Sequence, residues 1–135
     1  MPPETSRPDD PQAWLVRARS NLARARAGRH HDDVLFEDLC FDAQQACEKA
    51  LKSVLLVRGA SVPRTHAIAD LITAIVGLGI DVPMDVRTAA ELTEYAVASR
   101  YPGPFDPVNG EDFASALATA EAVVNWATNL VNGSN

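Results

Sequence analysis

The run CFDAQQACEKALKSVL, residues 40–55, decides the fold. It holds no glycine or proline and is rich in alanine, leucine and lysine, all strong helix formers. The helix it seeds is expected from Val34 to Arg58, closed by Gly59. On a helical projection Phe36, Leu39, Cys40, Ala43, Cys47, Ala50, Leu51 and Val54 gather into one broad core stripe. Glu37, Asp38, Asp42, Gln45, Lys49 and Lys52 are expected to point away from it. Phe41 projects about 160° from the stripe centre and Leu55 about 120°, with Gln45 and Lys52 close by. This helix therefore carries a second, weaker apolar side, covered either by another helix of the chain or by a second copy. Phe41, Gln45 and Leu55 are the interface candidates. Gln44 sits at the edge of the core stripe beside Leu51, where its amide needs a partner if buried.

Outward from this helix, the same period recurs. Trp14, Ala18, Leu22 and Ala25 share a face of a helix expected over Pro11–Ala27, ended by Gly28. The RHHDD turn follows, with Asp32 or Asp33 able to cap the next helix. A third helix is expected from near Thr65, carrying Ile68, Leu71, Ile72, Ile75 and Val76. A fourth is expected over Met84–Ser99, with Val86, Ala89, Ala90, Thr93, Ala96 and Val97 inward, stopped before Pro102. The proline-rich RYPGPFDPVNG segment leads to Asn109, a cap for a fifth helix with Phe113, Leu117, Ala120, Val124, Ala127 and Val131 on one side. No strand pattern and no internal repeat interrupts this reading. The expected fold is all-α: an antiparallel up-and-down bundle of four to five helices over residues 10–132, with residues 1–9 a disordered lead-in.

Composition agrees. A chain of 135 residues is one domain by size, and buries roughly two-thirds of its unfolded surface without staples. Aromatic residues are only 6%, which favours close helix packing through small side chains over a β-sandwich. The net charge of −6 argues against coating nucleic acid over the whole surface. Six of the twelve cationic side chains nevertheless lie in the first thirty residues. Cys40 and Cys47 stand two turns apart on one helix, about 10 Å along the axis, too far for a disulfide. Buried free thiols in a cytoplasmic protein are the expectation. There is no secretory leader pattern and no apolar run long enough to span a membrane.

Three blocks, CFDAQQACEKALKSVLLVRG at 40–59, PRTHAIADLI at 63–72 and ELTEYAVASRYPG at 91–103, together resemble the HEPN domain (higher eukaryotes and prokaryotes nucleotide-binding). That family commonly shows an aromatic-His-Ala-Gln-Gln-Ala-x-Glu-Lys-x-Leu-Lys run, a Thr-His-x-Leu helix start and an Arg-Tyr-Pro helix end. Asp42 stands where the family often has histidine. The resemblance implies an all-helical bundle, usually a homodimer, often encoded with a minimal nucleotidyltransferase as a toxin–antitoxin pair. It also implies that catalytic members are RNases bearing a late Arg-x4–6-His motif, while others bind nucleotide or RNA or serve as scaffolds.

The chemistry can be weighed residue by residue. An RNase needs an imidazole to move the 2′-hydroxyl proton and a guanidinium to hold phosphate. Arg100 occupies the late arginine position, but no histidine follows it. Arg24 with His30 and Arg26 with His31 match the spacing, at the end of the first helix rather than late in the bundle. His66 is either a lone base or phosphate contact, or a histidine bonded to a neighbouring loop. Arg100 and Tyr101 can grip a phosphate and stack on a base, or cap the bundle end. Lys49 and Lys52, sharing a face with Gln45, can hold one phosphate, or form a solvated face with Glu48 paired to Lys52. No metal-ligand spacing and no glycine-rich phosphate loop occurs, so neither metal nor cofactor is expected. The leading reading is a non-catalytic nucleotide- or RNA-binding module. An RNase using Arg100 and His66, and a purely structural bundle, are the alternatives.

Overall fold

The computed structural model describes residues 10–98 and 108–133. All regular structure among them is helical: α1 Pro11–Ala27, α2 Phe36–Val57, α3 Ile68–Gly77, α4 Met84–Arg87, a 3-10 segment Thr88–Glu94, α5 Tyr95–Ala98 and α6 Gly110–Val131.

α1 starts where Asp10 accepts from the Gln12 amide at 2.9 Å and Pro11 takes the first turn. It ends at Gly28, whose φ of 72° suits a residue without a Cβ. α2 starts two residues later than expected. Leu35 precedes it with no side-chain cap, so neither Asp32 nor Asp33 caps it; Glu37 and Asp38 in its first turn complement the helix dipole instead. α3 also starts late, at Ile68, because Thr65 is spent on a turn: its Oγ1 accepts from Ala67 N at 3.0 Å and donates to Asp70 Oδ2 at 2.9 Å. α6 opens with a reciprocal capping box, Asn109 Oδ1 to the Asp112 amide and Asp112 Oδ2 to the Asn109 amide.

The fourth helix departs most from expectation. It splits into α4, the 3-10 segment and α5. In a 3-10 turn residues three apart eclipse each other. Ala89 and Leu92, three apart, thereby form its buried edge, in line with Val86 of α4, and Ala90 and Thr93 are only half-buried.

Helix directions follow from side-chain pairs. Gln12 meets Asn132 and Arg26 meets Glu121, so α1 and α6 are antiparallel. Trp14 meets Lys52 and Arg24 meets Asp42, so α1 and α2 are antiparallel. The rings of Phe36 and Phe113, 5.8 Å apart, bring the starts of α2 and α6 to one end. α3 through α5 therefore carry the chain back along α2 before α6 begins, as the up-and-down reading requires. α2 is the central element, and its alanines Ala43, Ala46 and Ala50 are fully buried where helices approach closely. Cys40 and Cys47 are free and buried. Burial, with the nearby charges of Asp112 and Glu37, pushes the Cys40 thiol up to about 12, and burial alone pushes Cys47 well up, which disfavours the thiolate of both.

The second apolar side of α2 is resolved in part by this packing. Leu55 is 1% exposed: another part of the same chain covers it, which corrects its placement as an interface residue. Phe41 and Gln45 are half-buried. Asp42, expected to face away from the core, is buried at 5% exposure.

Candidate functional site

The glutamines and Glu48 of α2 form a buried polar network. Glu48 is 2% exposed and Gln44 fully buried. Glu48 Oε2 accepts from Gln44 Nε2 at 3.2 Å and from Gln45 Nε2 at 3.0 Å. Gln45 Nε2 also donates to Gln44 Oε1 at 2.8 Å, so the adjacent glutamines form one unit. Glu48 Oε1 accepts from Lys52 Nζ at 3.0 Å and from His66 Nδ1 at 2.8 Å. An uncompensated buried carboxylate would be costly; here every lone-pair direction is used. Burial alone would raise the Glu48 carboxyl. The hydrogen bonds from His66, Lys52 and Gln44, with the Lys52 charge, outweigh it and hold the group below its ordinary value.

This ionised carboxylate fixes His66. A carboxylate only accepts, so Nδ1 of His66 carries the proton and Nε2 is the ring nitrogen that offers a lone pair. The His66 side chain is 79% exposed while Glu48 beneath it is 3% exposed. An open imidazole thus stands on a buried, pre-oriented anchor. Its backbone is held as well, by the Thr65 turn and by Ile68 N donating to Thr93 Oγ1 at 3.0 Å.

His66 lines a pocket of about 400 Å³ with Trp14, Lys52, Val62, Pro63, Arg64 and Thr65. Lys52 Nζ lies 5.5 Å from the centroid of the Trp14 ring, a cation–π contact, while bonded to Glu48. The pocket therefore gathers an aromatic ring, an ammonium, a guanidinium and an imidazole in one place. Those groups can meet an aromatic base and an anionic oxygen cluster.

Of the residues singled out from the sequence, His66 and Lys52 come together here. Lys49 does not join them: its Nζ donates to Asn21 Oδ1 at 2.7 Å on the α1 side. Burial lowers its ammonium, against the opposing pull of Glu48. The idea of Lys49 and Lys52 gripping one phosphate is thus replaced by two separate networks. Gln45 serves the Glu48 network. Phe41 lines a different pocket, of about 390 Å³, with Arg24, His30, Asp38 and Asp42. Of the early Arg–His spacings, Arg24 and His30 both line that pocket, with Arg24 paired to Asp42 at 3.5 Å, whereas Arg26 pairs with Glu121 at 3.7 Å and His31 Nδ1 accepts from the Asp33 amide. Arg100 and Tyr101 lie outside the described residues.

Sequence reasoning missed Trp14, Arg64 and the anchoring role of Glu48. Trp14, expected on the core face of α1, is half-buried at the pocket. The available signal was PRTH at 63–66, which sets a cation two residues from the histidine ahead of a helix. Among the described residues, no group of His, Cys, Asp and Glu is arranged to hold a metal ion, and no helix is long and apolar enough to cross a membrane.

Comparison with known proteins gives a consistent picture. The HEPN domain family model matches residues 11–130. The crystal structure of TT1696 from Thermus thermophilus is similar with a TM-score of 0.76 and 34% identity, over 89% of this chain and 97% of that one. The crystal structure of ST0689, an archaeal HEPN homologue, is similar with a TM-score of 0.69 and 25% identity, over 90% of this chain and 98% of that one. No curated protein matches the chain.

Proposed function

The chain belongs to the HEPN domain family, and on that premise we propose that it is a non-catalytic binding module for a nucleotide or RNA. It acts as a homodimer with a minimal nucleotidyltransferase partner, in a toxin–antitoxin-like pair. The observation that carries the binding reading is the pocket where Trp14, Lys52, Arg64 and His66 converge. The pocket concentrates cationic and aromatic groups on a chain of net charge −6, so recognition is local rather than spread over the surface. The test is calorimetric titration of the purified protein with mononucleotides and short single-stranded RNA. Binding that is weakened by Arg64→Ala supports the reading; no binding of either ligand overturns it.

One observation favours a second reading, a metal-independent RNase. The 2.8 Å bond from His66 Nδ1 to buried Glu48 is the arrangement that orients a histidine base. Incubation with RNA in EDTA decides it: cleavage abolished by His66→Ala supports the RNase, and no cleavage removes it. For the homodimer, Phe41→Asp is expected to shift the mass in solution toward monomer, and a wild type already monomeric contradicts the proposal.

A further inference from the structure

Resting on the nucleotide-binding reading, the charge and size of the same pocket point to a narrower ligand, and we propose that it takes one nucleoside unit ending in a phosphate monoester. The phosphate sits against Arg64 and His66 at the mouth, with Lys52 behind and the base toward the Trp14 ring.

Size limits the occupant first. The pocket's volume of about 400 Å³ lies near the small end of ligand sites, enough for one nucleotide and not for a run of them. Charge limits it next. The cations are Lys52 and Arg64, but Glu48 is ionised and bonded to Lys52. One net positive charge is left, and the His66 ring stands beside it. Nδ1 already donates to Glu48, so Nε2 is the ring nitrogen left to share a proton with an acidic oxygen of the ligand. A phosphate monoester, with one charge against that cation and a second acidic oxygen for Nε2, matches this. The further phosphates of a triphosphate would leave negative charge unmatched on an acidic molecule. A neutral nucleoside would leave Arg64 and His66 without an anion.

Glu48 is a positioning residue in this scheme. It touches no ligand and acts by fixing the His66 tautomer. Gln44 and Gln45 keep Glu48 in place through its other oxygen.

The monoester can belong to a free mononucleotide or to the phosphorylated end of an RNA, and the experiment separates them. The intact protein is titrated by calorimetry, without divalent cations, with AMP, ATP, adenosine, a 5′-phosphorylated ribotrinucleotide and its 5′-hydroxyl counterpart. AMP is expected to bind at least about tenfold more tightly than ATP or adenosine, the scale of one charge-assisted hydrogen bond. A 5′-phosphorylated trinucleotide that binds as tightly as AMP, with its 5′-hydroxyl counterpart weaker, identifies an RNA end as ligand; one that binds far more weakly identifies the free nucleotide. Arg64→Ala and His66→Ala, both at exposed side chains, are each expected to weaken AMP by about tenfold. ATP, adenosine or the 5′-hydroxyl RNA binding as tightly as AMP, in a manner Arg64→Ala weakens, overturns the monoester assignment and leaves the nucleotide-binding reading standing. No binding by any of the five ligands overturns both.

Discussion

Two carboxylates of α2, Asp42 and Glu48, are both buried and both hydrogen-bonded, yet they do different work. Asp42 ties two helices together, and with Arg24 it also edges the pocket beside Phe41. Its Oδ1 accepts from Asn21 Nδ2 at 2.9 Å, and Asn21 Oδ1 in turn accepts from Lys49 at 2.7 Å. The outermost member, Arg24, is 71% exposed and 3.5 Å away. The network ties α1 to α2 across their antiparallel contact. Of the four donors to Glu48, two come from its own helix interior, and the other two, Lys52 and His66, line a pocket. Both carboxylates have a partner at a pocket, and the linings differ: Arg24 and His30 stand with the acidic Asp38 and Asp42, whereas Lys52, Arg64 and His66 stand with the Trp14 ring and, among the described residues, no acidic side chain.

The largest expected effect breaks the comparison on the Glu48 side. Glu48→Ala leaves Lys52 and His66 without their anion and the buried Gln44 amide without its acceptor. It should cost about 3–5 kcal/mol, the scale for removing one partner of a buried charge network, read from urea denaturation, and should remove nucleotide binding. Asp42→Ala should cost less, about 1–2 kcal/mol, since Arg24 is mostly hydrated, and should leave binding unchanged. Loss of binding in Asp42→Ala would erase the distinction between the networks.

Acid sharpens the same contrast. The Glu48 carboxyl is held below its ordinary value of 4.5 in the folded protein. It therefore contributes stability that is complete above that value and is lost as the pH falls through the folded one. The melting temperature should drop on acidification below 4.5, and Glu48→Gln should flatten the drop. An identical acid profile for wild type and variant would contradict the ionised network. The smallest effect on stability belongs to Arg64→Ala. It should stay within about 0.5 kcal/mol of wild type, while AMP affinity falls by about tenfold.

Much of the bundle was legible in the sequence because helix period and breakers are local signals. Gly28 and the Asn109 cap stand where the pattern placed them. The fourth helix was misread because a 3-10 edge of Ala89 and Leu92, continuing from Val86 of α4, uses the same apolar residues as an α-helix. Leu55 and Asp42 were misplaced because α2 is surrounded by other helices, and a single core stripe does not describe a helix buried on several sides. The Glu48–Lys52 pair was readable from i,i+4 spacing. Its union with His66 and Trp14 was not, because these residues meet only when the loop before α3 folds against α2 and α1.

The most direct test of this account is nitrogen-15 NMR of the His66 side chain, with and without AMP. It predicts a proton on Nδ1 in the free protein and a displaced Nε2 resonance on AMP addition. A free-state proton on Nε2, or ring resonances that AMP leaves unmoved, would contradict it.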